Sequence, residues 1–271
     1  MPVGRSVHIG LNNVDPNHYQ GWSGDLSGCE FDAADMSALA KDQGFEVSAS
    51  LLTTAATADA VLAALAAAAA GLVAGDTLLV TYSGHGSQVP DASNQEPDRL
   101  DETWVLYDRQ LVDDELFGFF AGLPAGVKVI VVSDSCHSGS VTREVPPGVL
   151  TGGGGPLPPR ERSMPKAVRK RVYEANRALY DGITIKGGGE PSDIPATVLL
   201  LSGCQDDQTS RDGDRNGLFT EKLLAAWPSR PGSWTLLHDA VIKTMPAEQQ
   251  PNLSAYGAAA AAFEAAAPFT P

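Results

Sequence analysis

Residues 127–140, VKVIVVSDSCHSGS, form an apolar run that ends abruptly in small polar residues. Residues 76–87, DTLLVTYSGHGS, repeat this pattern earlier in the chain. Runs that are apolar at nearly every position are typical of parallel strands buried on both faces of a sheet. The two stretches therefore predict core strands whose carboxyl ends carry polar side chains.

Other apolar runs alternate with helical patterns on either side of these two stretches. The predicted elements are strands at residues 7–11, 45–52 and 197–201, and helices at residues 32–41 and 57–72. Thr57 is expected to cap the second helix, because its hydroxyl can accept from a free N–H of the first turn. Strand–helix–strand order with short connections predicts a doubly wound α/β sheet.

The composition excludes several classes of protein. The 271 residues include 33 Asp and Glu against 19 Lys and Arg, a formal net charge of −14, which disfavours nucleic acid or a membrane surface as partner. A hydrophobic content of 43% suffices for a large core, and only three cysteines exclude a disulfide-stapled scaffold. The longest apolar run, at residues 61–70, is too short for a membrane span, and residues 1–13 show no secretory signal. A cytoplasmic protein is expected.

The polar groups after the two central strands suggest catalysis. His85 and Cys136 follow these strands, and ligands of open α/β sheets bind at the carboxyl ends of strands. If the strands are neighbours, the imidazole and the thiol share one crevice, which is the minimum apparatus for nucleophilic acyl transfer. The N–H groups of Gly86 and Cys136 are then placed to stabilise an oxyanion.

Other interpretations of these residues stay open. A buried Cys or His is often purely structural. His137 is a competing base, although adjacent side chains on one loop rarely face each other. The competing nucleophiles are serines, none of which lies in a G-x-S-x-G elbow: Ser83, Ser133, Ser135 and Ser138. Cys204, directly after the strand at residues 197–201, is predicted to be a core residue.

Four motifs together resemble the metacaspase branch of the caspase-like cysteine peptidases. They are LSGC at residues 26–29, YSGHGS at 82–87, DSCHSGS at 134–140 and SGCQDDQTS at 202–210. The resemblance extends from residue 7 to QPNL at residues 250–253. It implies a caspase-like three-layer α/β fold, with a six-stranded, mostly parallel sheet and helices on both faces. It also implies cleavage after Arg or Lys, with His85 as base and Cys136 as nucleophile.

The same resemblance implies an S1 pocket, which binds the substrate side chain before the scissile bond (P1). The matching positions are Cys29, Asp32, Ser83 and Asp134, with Cys29 as a wall residue. The chemistry agrees, because a guanidinium needs one carboxylate partner or preferably two in a partly dry pocket. For Asp32 the alternative is a carboxylate that complements a helix dipole, and the two roles are compatible.

The resemblance further makes Ca²⁺ a candidate activator, while the chemistry itself is expected to need no cofactor. Asp101, Asp113 and Asp114 match three calcium-binding positions, and hard carboxylate oxygens suit this ion. The fourth position falls on Arg143, whose positive charge would weaken binding. Calcium dependence and a merely solvated acidic loop therefore both stay open.

The segment DGDRNG at residues 212–217 imitates the start of an EF-hand loop. Position twelve of that loop would be Leu223, whereas a calcium-binding loop needs a bidentate glutamate there. The segment is therefore predicted to be a turn, followed by a helix from about Leu218.

A Gly- and Pro-rich segment at residues 141–195 interrupts the alternation and looks like an exposed linker. Residues 1–140 are then large-subunit-like and residues 196–271 small-subunit-like, in one caspase-like domain. Caspase relatives are commonly cut between these parts, so a zymogen is expected that is processed within residues 160–177, by itself or by an upstream protease. The candidate cleavage positions are Arg162, Arg169, Lys170, Arg171 and Arg177. The alternative is a solvated loop or short helix.

The expected function is that of a prokaryotic-type metacaspase (orthocaspase), a monomeric endopeptidase acting on proteins or peptides with a basic P1 residue. By analogy, its role lies in stress, cell death or antiviral defence. A catalytically silent caspase-like scaffold is the alternative from another class. A peptidase that cuts after Asp or Asn is a further alternative, which an acidic S1 pocket disfavours through like-charge repulsion.

Overall fold

The computed structural model describes residues 2–93, 99–136, 160–186, 194–205 and 208–271. The strands are, in chain order, β1 (Gly4–Gly10), β2 (Glu46–Leu52), β3 (Thr77–Ser83), β4 (Gly86–Pro90), β5 (Leu100–Val105), β6 (Gln110–Val112), β7 (Lys128–Asp134), β8 (Thr197–Ser202) and β9 (Asn252–Tyr256). The helices are α1 (Cys29–Asp42), α2 (Ala58–Ala69), α3 (Asp113–Ala121), α4 (Lys166–Ala175), α5 (Arg177–Thr184), α6 (Leu218–Ala226), α7 (Trp234–Ile242) and α8 (Ala260–Glu264).

Six of the strands form the central sheet, in the spatial order β2-β1-β3-β7-β8-β9. The first five run parallel, and β9 pairs antiparallel with β8. The expected six-stranded, mostly parallel sheet is confirmed. Strands β3 and β7 are neighbours, and Ser83 is paired with Asp134 at their carboxyl ends. His85 and Cys136, each two residues further on, therefore leave the sheet at the same edge.

Helices cover both faces of this sheet and give three layers. Alternate side chains of one strand enter different cores: Leu78 and Val80 of β3 pack with α2 and α3, whereas Leu79 packs with α1, α6, α7 and α8. This double burial explains why β3 and β7 are apolar at nearly every position. Among the helices of the described residues, none has both the length and the apolar character that crossing a membrane requires.

A second, antiparallel sheet of β4, β5 and β6 lies beside the first, and α4 and α5 pack onto it. Val168 and Val172, one helical turn apart on α4, are buried there with Val89 of β4. Residues 160–186 are thus folded against the domain. The expectation of an exposed linker is wrong for this part, because the helix buries an apolar stripe that the charged residues hide in the sequence.

The predicted elements occur with small shifts of their ends. Thr57 caps α2 by accepting from the N–H of Ala60 at 3.3 Å, and the helix predicted from about Leu218 is α6. The helix predicted at residues 32–41 begins three residues earlier, at Cys29. The sequence patterns did not locate the small sheet, whose strands are short and interrupted by polar residues although mostly buried. They also missed β9, whose residues are partly buried or exposed.

Candidate active site

The ends of β3 and β7 place His85 and Cys136 in one buried crevice. His85 is 6% exposed, and Cys136 is completely buried. A side chain at Gly86 would clash with the carbonyl group of Cys136, so the two loops approach this closely only with glycine there. Both predicted catalytic residues therefore lie where adjacent parallel strands end, as the strand pattern indicated.

The surroundings of His85 fix which ring nitrogen carries the proton. Nε2 lies 2.9 Å from the carbonyl oxygen of Gly24, which can only accept, so Nε2 is the donor. Nδ1 is buried and has no hydrogen-bond partner among the described residues. Burial lowers the pKa of His85 to about 4, and the Trp22 ring packs against the imidazole at 4.7 Å between centroids. At neutral pH the Nδ1 lone pair is therefore available as a base.

The thiol of Cys136 is held in its neutral form. Its Sγ accepts a hydrogen bond from the backbone N–H of Ser210. Burial, followed by the neighbouring thiol of Cys204, raises the pKa of Cys136 well above its ordinary value. A cysteine attacks as a thiolate, so a catalytic role for Cys136 would require a base at the moment of attack.

A buried arginine from the basic segment fills the predicted S1 pocket. The guanidinium of Arg162, which is completely buried, contacts Asp32 at 2.8 Å, Asp134 at 3.0 Å and Asp212 at 2.9 Å. The hydroxyl of Ser83 accepts from its Nη1 at 2.8 Å. Asp32, Ser83 and Asp134, which are predicted S1 residues, thus contact one cationic side chain. Both terminal nitrogens of the guanidinium take part, and this planar group is suited to bridging carboxylates.

The carboxylate of Asp32 is further anchored by the chain after β8. Its oxygens accept from the side chain of Asn216 at 2.9 Å and from the N–H of Gly217 at 3.1 Å. Burial raises the pKa of Asp32 to about 6; the positive charge of Arg162 opposes this rise, and the negative charge of Asp134 adds to it. A cation in the pocket therefore keeps Asp32 ionised.

Asp134 is anchored in a similar way. One oxygen accepts from the hydroxyl of Ser210 at 2.6 Å, and the other from the N–H and hydroxyl of Thr220 at 3.1 and 2.7 Å. These bonds join the end of β7 to Ser210 and to the start of α6, so the part of the chain after β8 holds this carboxylate in place.

Asp212 also lines the predicted S1 pocket, and sequence reasoning missed it. Its two oxygens accept from the N–H groups of Ser27 and Gly28, at 2.7 and 3.2 Å, while it contacts Arg162. Sequence analysis rejected an EF-hand loop for residues 212–217 and predicted only a turn, so it gave Asp212 no part in binding a cation. The available signal was position: the segment follows β8, the neighbour of β7, at the same edge of the sheet.

The backbone of residues 160–164 crosses the cleft in an extended conformation. The carbonyl oxygen of Arg162 accepts from the N–H of Gly86 at 2.9 Å and from that of Cys136 at 3.2 Å. Its own N–H donates to the carbonyl of Ser210 at 2.9 Å. The two N–H groups predicted to stabilise an oxyanion therefore already hold a peptide carbonyl.

The other cysteines lie close to this site. Cys29 is fully buried at the start of α1, and burial, partly opposed by the positive charge of Arg162, raises its pKa to about 12, so it stays a neutral thiol. Cys204 is buried as predicted, and its thiol donates to the carbonyl of Ser135 at 3.4 Å. Cys204 also lies beside Cys136, whose pKa it helps to raise.

The competing serines have other partners. The hydroxyls of Ser133 and Ser135 are hydrogen-bonded to each other at 2.9 Å, and that of Ser83 donates to Asp32 at 2.7 Å. His137 and Ser138 lie outside the described residues.

The predicted calcium residues lie away from the cleft, with Asp101 on β5 and Asp113 and Asp114 opening α3. Burial and the neighbouring carboxylates of Glu102, Asp101 and Asp114 raise the pKa of Asp113 well above its ordinary value. Within the described ranges, no group of three or more His, Cys, Asp or Glu side chains is arranged to hold a metal ion. Arg143 lies outside those ranges. Calcium dependence therefore stays a prediction, and no catalytic step is assigned to the ion.

The remaining cleavage candidates lie on helices. Arg169 on α4 donates to the side chain of Gln88 at 2.7 Å. Lys170 and Arg177 form exposed ion pairs within their own helices, and Arg171 is exposed on α4. Of the five predicted positions, Arg162 alone is shown in contact with the S1 carboxylates.

A family model described as Caspase domain matches residues 14–260. Metacaspase-2 of Trypanosoma brucei brucei is 28% identical over 230 residues, which cover 79% of this chain and 58% of that protein. Metacaspase-1 of Schizosaccharomyces pombe is 30% identical over 177 residues, covering 56% of this chain and 41% of that protein. The chain therefore spans about half the length of these curated relatives.

Two solved structures resemble the whole chain. The crystal structure of a protein from Geobacter sulfurreducens has a TM-score of 0.87 and 46% identity, with 99% of both chains covered. Caspase-1 from Spodoptera frugiperda has a TM-score of 0.52 and 13% identity, with 94% of this chain and 86% of that chain covered. The second likeness shows a shared fold.

Proposed function

Because the chain belongs to the caspase-domain family of cysteine peptidases, we propose that it is an endopeptidase that cleaves proteins or peptides after Arg or Lys. The observation that carries this proposal is the placement of Arg162. Its guanidinium lies among three carboxylates while its carbonyl oxygen meets the N–H groups of Gly86 and Cys136. A P1 residue must satisfy both conditions at once, with its side chain in S1 and its carbonyl beside the nucleophile.

The residues of the cleft supply each part of an acyl transfer. Nδ1 of His85 takes the proton from the thiol of Cys136 as Sγ attacks the P1 carbonyl carbon. The N–H groups of Gly86 and Cys136 stabilise the negative charge that develops on the carbonyl oxygen. The imidazolium, stabilised by the carbonyl of Gly24, then gives its proton to the leaving amine as the peptide bond breaks. Water hydrolyses the resulting thioester and restores the thiol.

The charges of the pocket support specificity for a basic side chain. Asp32, Asp134 and Asp212 surround the side chain of Arg162, and the contacting side chains are at most 2% exposed. An aspartate at P1 would meet like charge in a buried site, which costs several kcal/mol.

The position of Arg162 also supports processing of a single-chain precursor within residues 160–177. Processing by an upstream protease, a monomeric state and a role in stress, cell death or antiviral defence stay predictions from the family resemblance. A catalytically silent scaffold would not need a thiol, a base and two N–H donors to be arranged around one peptide carbonyl. This arrangement therefore favours the peptidase over the scaffold.

The proposal is tested with fluorogenic peptides that end in Arg, Lys or Asp, after incubation of the protein so that processing can occur. We expect turnover of the Arg and Lys peptides and none of the Asp peptide. Cys136→Ala should reduce the rate at least about 10³-fold, because the nucleophile is lost. Circular dichroism shows whether this variant is folded. No turnover by the folded wild type would favour the scaffold, and equal turnover of the Asp peptide would refute the basic specificity.

A further inference from the structure

We infer that Gln249, in the turn before β9, is a positioning residue of the S1 pocket and acts through Ser210. This inference rests on the proposed endopeptidase function. It goes further by giving two residues outside the predicted pocket a part in holding the P1 residue.

Ser210 is the point at which three parts of the site meet. The residue is completely buried, and its N–H donates to Sγ of Cys136. Its hydroxyl donates to the carboxylate of Asp134 at 2.6 Å, and its carbonyl oxygen accepts from the N–H of Arg162 at 2.9 Å. One residue therefore contacts the nucleophile, an S1 carboxylate and the backbone of the residue in the P1 position. A small shift of Ser210 would disturb the alignment of all three.

The side chain of Gln249 holds Ser210 and the loop that carries it. This side chain is completely buried, and its Nε2 donates to the hydroxyl oxygen of Ser210 at 2.9 Å and to the carbonyl of Gly203 at 3.1 Å. Its Oε1 accepts from the N–H of Arg211 at 3.0 Å. Gly203 directly follows β8 and Arg211 directly follows Ser210, so one amide joins both ends of this loop.

The partners of the amide fix its orientation. The carbonyl of Gly203 can only accept and the N–H of Arg211 can only donate, so the nitrogen and the oxygen of Gln249 cannot exchange places. Nε2 must then donate to the hydroxyl oxygen of Ser210, and the proton of that hydroxyl points to Asp134. The result is a directed chain of donors that ends on an S1 carboxylate, which hydrogen bonds to an ionised group make strong.

A glutamine matches the partners at this position. Two acceptors and one donor surround the side chain, and a carboxamide offers two N–H groups and one oxygen. A methionine of similar length would remove all three bonds inside a buried region, where lost partners are costly. An ionised glutamate could still accept from Arg211, but it has no proton to donate to Ser210 or Gly203.

The next residue offers a matched control. Gln250 belongs to the same turn, and its side-chain Nε2 donates to the carbonyl oxygens of Met245, Pro246 and Gln249. Replacing this side chain perturbs the turn and leaves the amide of Gln249 in place. The two glutamines therefore separate positioning of the pocket from stability of the turn.

The first experiment measures kcat/KM for a fluorogenic Arg peptide. Gln249→Met and Gln249→Glu should each lower it about tenfold, whereas Gln250→Met should stay within about twofold of the wild type. Because Gln249 acts in part through the hydroxyl of Ser210, the loss caused by Gln249→Met should be at least about threefold smaller in the Ser210→Ala background. An equal loss in both backgrounds, or an equal loss in Gln250→Met, would overturn the inference.

A second experiment tests the contact between Ser210 and the P1 backbone. In a matched peptide, an ester oxygen replaces the N–H of the P1 residue, so the carbonyl of Ser210 loses its donor. We expect this replacement to lower kcat/KM about tenfold in the wild type and clearly less in Gln249→Met, where the carbonyl is already misplaced. The same loss in both proteins would show that Gln249 stabilises the fold without positioning Ser210.

The controls separate this inference from the proposed function. Circular dichroism and thermal unfolding identify variants that do not fold, and the two substitutions at Gln249 guard against that case. Intact mass shows that the proteins compared are in the same state of processing. If the folded wild type does not hydrolyse the Arg peptide, the proposed function fails. If the wild type is active and both Gln249 variants match it, only the positioning role is wrong.

Discussion

The two walls of the cleft are built in different ways. The first wall consists of strand ends and the helix beside them, and it carries His85, Cys136, Asp32 and Asp134. The second wall is the loop after β8, which carries Asp212. In the proposed reaction the first wall supplies the reacting groups and two of the three carboxylates, and the second wall adds the third carboxylate and closes the pocket. The reacting groups would therefore come from one wall, whereas selectivity depends on both.

The walls also lie on opposite sides of the proposed cut. They stay joined because β7 pairs with β8 along the central sheet, from Lys128 with Thr197 to Ser133 with Ser202. We therefore expect the two fragments to remain associated, with the S1 pocket shared between them.

The largest effect is expected at the residue that joins both walls. Asp134→Asn should lower kcat/KM for an Arg peptide by about 10² to 10³-fold, because truncating a buried charge pair costs several kcal/mol. The measurement is made on the cleaved enzyme, with thermal unfolding recorded in parallel. An unchanged kcat/KM in a folded variant would remove Asp134 from the S1 pocket.

A smaller effect is expected on the second wall. Asp212→Asn should lower kcat/KM for an Arg peptide about tenfold and that for a Lys peptide less, because an ammonium is a compact charge that cannot bridge several carboxylates as a guanidinium does. The ratio of Arg to Lys cleavage should therefore fall.

Asp214→Asn is the matched control, because this neighbouring carboxylate is exposed. It should leave the ratio unchanged. An equal loss on both peptides in Asp212→Asn would show that the second wall supports the pocket without selecting between them.

The smallest expected effect is a pH dependence, which should differ between KM and kcat. The pKa of Asp32 is raised to about 6 and that of His85 is lowered to about 4. That value for Asp32 includes the lowering by Arg162 in the pocket. As the pH falls through the pKa of Asp32, this carboxyl becomes protonated and loses its attraction for a cation, so KM should rise. Because His85 stays neutral down to about pH 4, kcat should persist to lower pH than binding does. A fall of kcat with a midpoint near 6.5, at constant KM, would contradict this assignment.

The strand ends were predictable because the information is local. A run of apolar residues identifies a buried strand, and the residues directly after that strand must lie at the edge of the sheet. His85 and Cys136 could be selected in this way, and the motif resemblance added Asp32 and Asp134. The pairing of Ser83 with Asp134 then confirms that the two strands are neighbours.

The basic segment was misjudged because charge alone predicts exposure. Arg162 is buried because three carboxylates from distant parts of the chain neutralise it, and a buried charge is tolerated only with such partners. Its partners lie 130, 28 and 50 residues away along the chain. Composition within a window cannot reveal contacts over such distances.

The linear order of residues specified the doubly wound α/β architecture and placed a thiol and an imidazole after its two central strands. Apolar periodicity and strand ends are properties of neighbouring residues. Three other facts emerged from the folded chain alone. Arg162 occupies the pocket, Asp212 closes it, and Nδ1 of His85 has no hydrogen-bond partner within the part of the chain that the structure describes. These facts depend on backbone segments brought together by folding, and their hydrogen bonds exist only when the whole chain is assembled.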